Sequence, residues 1–134
     1  MASRHVLATA RDWVPFLLEL VPDYGTYGAI QLVRAGLDAA ESTEEHPITA
    51  VLPDTRNQEI NLVSEHTSRP LTLAGLLSQI TPLAAAYPDY RVFLGAPWRR
   101  LVEYEYREDS PIIDLVVDDA ARRIGFVGDG AQSA

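Results

Sequence analysis

Chemistry in a chain of this size starts from histidine, cysteine and carboxylates at fixed spacings, and the sequence offers few of them. Its three histidines, His5, His46 and His66, stand far apart. None belongs to a His-x-x-x-His or His-Glu-x-x-His pattern, the spacing that sets two imidazoles one helical turn apart around a metal. They read as solvated loop residues, with His66, next to Glu65 at an expected strand end, the best placed of the three. Cysteine is absent, which excludes disulfides, thiolate nucleophiles and Cys-based zinc or iron–sulfur centres.

Carboxylates come in pairs at Glu44-Glu45, Glu108-Asp109 and Asp118-Asp119. General acid–base work needs one carboxyl held protonated by an apolar setting. All three pairs fall in expected connections, where water keeps both members charged. Asp114 differs, because it lies inside the run Ile112-Ile113-Asp114-Leu115-Val116-Val117 and shares a strand face with Ile112 and Val116. If that face is buried the carboxylate needs a partner, and arginine is the natural one. Asp114 and His66 are therefore the candidate buried polar site, read as structural before catalytic. No serine sits in a Gly-x-Ser-x-Gly elbow, and no Gly-Lys-Ser/Thr follows Gly125 or Gly128-Asp129-Gly130, so neither hydrolase nor phosphate-loop chemistry is indicated. Gly25 and Gly28 flank Tyr27 at the start of an expected helix, whose N-terminus is able to hold an anion; a turn and a helix start account for both. No catalytic residue, metal or cofactor is expected.

The stretch from 97 to 107 carries recognition chemistry instead. Val102, Tyr104 and Tyr106 share one face of an expected strand, and Leu101, Glu103, Glu105 and Arg107 share the other. Trp, Tyr and Arg are the residue types that anchor interfaces. Trp98, Arg99, Arg100, Tyr104, Tyr106 and Arg107 are the candidate partner-binding residues. The competing reading closes the core with Trp98 and stacks an arginine on it.

Charge sets the kind of partner. The net charge is −8, all 11 basic residues are Arg, and there is no Lys. An acidic surface cannot neutralise phosphates, which argues against nucleic acid, and it is repelled by anionic membranes. It favours a basic protein partner. Arg-only, Ala-rich usage suits a GC-rich coding sequence, as in actinobacteria and their phages. No apolar run reaches the roughly 18 residues that span a bilayer, and residues 1–5 lack the apolar stretch of a signal peptide. A cytoplasmic location is expected.

The elements that must position these residues read as α-α-β-β-α-β-β-β-β. Apolar spacing predicts helices over 12–21 with Asp12 as N-cap, over 26–40, and from Thr72 to about 87, with Pro82 kinking or ending the first part of the last. Residues 41–47 read as a polar connection. Alternation predicts strands over 48–52, 59–64, 90–94, 101–107, 112–117 and 123–127, with a turn signal at Pro53-Asp54-Thr55-Arg56-Asn57-Gln58. The expected fold is α+β, a mostly antiparallel sheet with about three helices packed on it, in one domain over 1–127 with a disordered tail at 128–134. Helix followed by hairpin occurs twice, and residues 59–63 loosely echo 112–116; two hairpins obeying the same alternation produce such an echo without a repeat.

Three functions fit these features. The leading one is a non-catalytic interaction module of accessory, immunity, antitoxin or inhibitor type, binding a basic protein or itself. The second is a small-ligand or enzymatic domain with a pocket between sheet and helices, using Asp114, His66 and Tyr104 or Tyr106. The third is a structural subunit of a larger assembly, or a homo-oligomer, suggested by a first helix apolar nearly all round.

Overall fold

The computed structural model describes residues 9–34, 43–64, 69–95 and 110–128. Among them the elements run α1 (Ala10–Tyr24), β1 (Gly28–Arg34), β2 (Thr43–Pro47), β3 (Ala50–Asp54), β4 (Glu59–Val63), α2 (Leu73–Ala86), β5 (Arg91–Gly95), β6 (Ser110–Asp118) and β7 (Arg123–Gly128). The class is α+β, with two helices and seven strands.

Both helices present one apolar stripe to the core. In α1 the stripe is Ala10, Trp13 and Leu17; in α2 it is Leu73, Leu76, Ile80 and Ala84. These spacings of three and four bring side chains to one face. Thr72 caps α2, its Oγ1 accepting the Gly75 N–H at 3.0 Å. The helix then continues through Pro82 to Ala86 rather than ending there. Likewise α1 begins earlier than its sequence suggests: Thr9, not Asp12, is the N-cap, and the helix runs through Pro15 and Pro22 to Tyr24. It is buried on one side only, with Leu18 exposed on the other.

The expected second helix is corrected: residues 28–34 form strand β1. Its Ala29, Leu32 and Val33 satisfy a helical spacing, but Gly28 disfavours a helix and the β-branched Ile30 and Val33 favour a strand, and pairing on both sides decides the outcome. β1 lies between β2, antiparallel, and β7, parallel. The rest of that expected helix lies outside the described residues, as does the expected strand over 101–107. The polar stretch Thr43–Pro47 is also a strand, β2, and Gly128 closes β7 rather than opening a tail.

The sheet order is β2-β1-β7-β6-β5-β4-β3. The pairings β1–β7 and β4–β5 are parallel and the others antiparallel, so the strands form mixed groups. The two outermost strands, β2 and β3, are consecutive in the chain. Ile48 N–H bonds to Ala29 O at 2.9 Å and Thr49 N–H to Val63 O at 2.8 Å. At that step the backbone leaves β1 and joins β4. β6 does the same: Ser110 and Pro111 pair with β5, and from Ile112 onward it pairs with β7, through a bulge between Ile112 and Asp114. Strands that change partners at a bend or bulge are how corners are made in curved sheets.

These two crossings are equivalent, because the described residues of 9–63 and of 72–127 have the same architecture. Thr9 bridges Arg91, the first residue of β5, and Thr72 bridges Gly28, the first residue of β1. Ala10 N–H bonds to Tyr90 O (2.8 Å) as Leu73 N–H bonds to Tyr27 O (2.9 Å). The strand pairs Ala29–Ile124 and Val92–Ile60 correspond, as do Asp54–Glu59 and Asp118–Arg123. Even the turns match. Gln58 and Arg122 both adopt positive φ, 61° and 57°. Asp54 Oδ1 accepts the Asn57 N–H, and Asp118 Oδ1 accepts the Ala121 N–H. Tyr24–Tyr27 and Tyr87–Tyr90 are equivalent ring pairs, with centroids 5.2 and 4.5 Å apart. The repeat therefore exists, but the echo of 59–63 falls on β7, not on residues 112–116.

One core serves both halves: Trp13 and Leu17 of α1, Leu76 and Ile80 of α2, and Ile48, Ile60, Leu62, Ile124 and Phe126 from the strands. Gln31 takes the buried position that Leu94 holds in the other half. Its Nε2 donates to Leu62 O at 2.9 Å and Gly95 O at 2.7 Å, which ties β1 to the ends of β4 and β5.

Candidate functional site

The strands β3 and β6 are the equivalent members of the two halves whose outer sides reach water. Among the described residues β3 pairs only with β4, and β6 beyond its bulge pairs only with β7. Each leaves one row of backbone groups without a strand partner, the ordinary hazard of a sheet edge.

The two edges are treated differently. On β3 the Val51 N–H points away from β4 and is bonded to Gln79 Oε1 of α2 at 3.2 Å. Two residues on, the same side of the strand carries Pro53, which has no N–H. Edge β3 therefore shows no free donor at either position. On β6 the equivalent residues are Leu115 and Val117, opposite Phe126 and Ile124. α1 offers Phe16 where α2 offers Gln79, so no helix side chain accepts the Leu115 N–H. It bonds instead to Asp114 Oδ1 at 2.8 Å. Val117 stands where Pro53 stands, and keeps its N–H, directed to the same side as that of Leu115.

Side chains on these edges are exposed and apolar. Leu52 is 51% exposed and its equivalent Val116 is 44% exposed; Val117 is 38% exposed. On β6 alternation places Asp114, Val116 and Asp118 on one face, giving an apolar centre between two carboxylates. Asp118 faces Arg123 in register, but that guanidinium is committed elsewhere, forming a two-pronged pair with Glu45 at 2.8 and 3.2 Å.

The turn after β6 is clipped to the other half. Tyr27 Oη donates to Asp119 Oδ1 at 2.7 Å, and Arg122 lies 5.3 Å over the Tyr27 ring while its Nη2 donates to Thr26 Oγ1. The hydrogen bond to Asp119 raises the Tyr27 pKa, with burial adding to it. In the equivalent turn Asn57 holds the Asp54 carboxyl below its usual range, through its side-chain amide at 2.8 Å and its backbone N–H. Both are structural clips; neither leaves a group poised for proton transfer.

The sequence-derived candidates fare unevenly. Asp114 is exposed, so it is not a buried polar site. The bulge after Ile112 breaks the alternation that put the two residues on one face, and the carboxylate meets its neighbour's N–H rather than an arginine. His66, Trp98, Arg99, Arg100, Tyr104, Tyr106 and Arg107 lie outside the described residues. Sequence reading passed over Leu52, Pro53, Val116 and Val117. Pro53 is the available signal, since proline in a strand marks an edge, but in the run Pro53-Asp54-Thr55-Arg56-Asn57-Gln58 it reads equally as the start of a turn. Among the described residues no group of three His, Asp or Glu gathers to hold a metal, and no helix is long and apolar enough to cross a membrane. Comparison with protein-family models, curated proteins and solved structures gives no match to this chain.

Proposed function

We propose that this chain is an acidic, non-catalytic protein-interaction module whose partner is a basic protein. The observation that carries the proposal is the exposed edge of β6, where Val116 stands in water between Asp114 and Asp118 on one face and Val117 is exposed on the other. Solvent-exposed apolar side chains rimmed by charge mark interaction surfaces. The net charge of −8 gives long-range attraction to a basic partner and speeds its association. The Trp98–Arg99–Arg100 cluster and Tyr104, Tyr106 and Arg107 supply anchor residues for the same role.

Photo-crosslinking residues placed singly at Leu18, Leu52, Val116 and Trp98, in cells expressing the chain at its native level, test this reading. Discrete adducts to a basic protein are expected, weakened by raised salt. A chain that gives no adduct from any of the four positions and sediments as a monomer overturns it.

A further inference from the structure

We infer that β6 binds its partner by strand addition, and that the occupant is an extended segment with the pattern basic–x–apolar–x–basic. This rests on the interaction reading above and names the site and chemistry of the partner. Strand addition needs free backbone donors and acceptors on an exposed edge, with side-chain positions at every second residue for specificity. β6 supplies both. The Val117 N–H is directed outward and has no proline in its place. The Asp114, Val116 and Asp118 face sets the alternate-residue code.

The same face selects against a second copy of this chain. Antiparallel self-pairing centred on Val116 puts Asp114 of one copy opposite Asp118 of the other, twice. Directly opposed like charges destabilise a strand pair. A segment with Lys or Arg at the outer positions reverses the sign of both contacts and places its apolar residue on Val116. The other half of the molecule shows the edge in its blocked form. Gln79 occupies the Val51 N–H, and Pro53 removes the next one. Among the described residues the two equivalent edges differ at their second outward position, closed by Pro53 on β3 and left with an N–H at Val117 on β6.

The test uses the full chain and two synthetic strand peptides, Thr-Lys-Thr-Val-Thr-Lys-Thr and the same peptide with Glu for Lys. Binding is followed residue by residue through amide chemical shifts and amide hydrogen exchange. The Lys peptide should saturate with its largest shifts at Leu115, Val116 and Val117, slow exchange of the Val117 amide, and bind at least tenfold more tightly than the Glu peptide. Val117→Pro should weaken it tenfold or more. This variant is expected to fold, because the chain already carries proline at the equivalent position, and an unchanged spectrum outside β6 and β7 confirms that. Asp114→Asn with Asp118→Asn should erase the preference for Lys over Glu while leaving the backbone register intact. Shifts that map elsewhere, equal binding of both peptides, no binding at millimolar peptide, or Val117→Pro binding like the parent would each overturn strand addition at β6. Crosslinks to a partner from Trp98 or Leu18 but none from Val116 would overturn it too, while leaving the interaction reading in place; absence of all crosslinks removes that reading itself.

Discussion

A side chain at Gly125 should collide with Leu32. It lies on β7, opposite Ile30 of β1, and a Cβ built on it would stand 2.5 Å from Leu32 Cδ1 and 3.0 Å from Leu32 Cγ. Carbon atoms in contact sit at about 3.5–4.0 Å, so Gly125→Ala requires the isobutyl group to move by about 1 Å. Leu32 is half-buried and able to turn partly aside, which places the cost in the ordinary range for overpacking, about 1–3 kcal/mol. At this chain length each kcal/mol lowers Tm by about 3–5 °C. Leu32→Ala alone should cost about 1–2 kcal/mol, below the fully buried range because the site is partly open. In the double variant the clash is gone, and the two losses should fall short of additivity by about 1–2 kcal/mol. Denaturant unfolding of the four proteins reads this directly. Additivity within about 0.5 kcal/mol would refute the reasoning. Gly95 provides the control, since the equivalent pair is reversed there: the glycine is on β5 and the larger residue, Asn61, is on β4. A Cβ on Gly95 would lie 3.2 Å from Asn61 Cβ, so Gly95→Ala should cost less than Gly125→Ala.

Two further variants probe the links within and between the halves. Gln31→Leu copies the residue found at the equivalent position, yet should lose about 2–4 kcal/mol in thermal or urea unfolding, because the Leu62 and Gly95 carbonyls lose their donor. Asn57→Ala should raise the Asp54 pKa toward the ordinary carboxylate value of about 3.9, as read by NMR titration. The Asp54 carboxyl is depressed in the folded state. The stability it contributes is therefore full above the unfolded value and disappears as pH falls through the folded one. The stability gap between parent and Asn57→Ala should accordingly be constant near neutrality and narrow on acidification below about pH 4.

The class of fold was legible because its signals are local. The Leu73, Leu76 and Ile80 spacing and the Thr72 cap need only α2 itself, and the alternation of residues 112–117 and 123–127 needs only one hairpin. β1 was not legible, since Ala29, Leu32 and Val33 fit a helix and only the flanking β2 and β7 make the segment extended. β2 was missed for the opposite reason. Among the described residues Thr-Glu-Glu-His-Pro pairs with β1 alone, and its composition is that of a loop. The repeat escaped because the correspondence is geometric: Trp13 answers to Leu76, Gln31 to Leu94, and Asn61 to Gly125. Asp114 was misplaced by one bulged residue, which shifts alternation without leaving a mark in composition. The contrast between Pro53 and Val117 becomes visible only once the two strands are known to be equivalent.

Described as an assembly, the molecule is a dimer written into one polypeptide. The start of α1 is held by the strand that follows α2, and the start of α2 by the strand that follows α1, the reciprocity of a two-fold contact between identical subunits. In a true homodimer, however, any substitution appears twice. A proline that silences one edge silences both, and an edge left open is open twice, free to link copies into chains. Joining the halves covalently removes that constraint. Each edge is set independently, so one is silenced by Pro53 and Gln79 while the other keeps the Val117 amide. A symmetric frame thereby acquires a direction: among the described residues, the equivalent edges of β3 and β6 no longer present the same backbone groups.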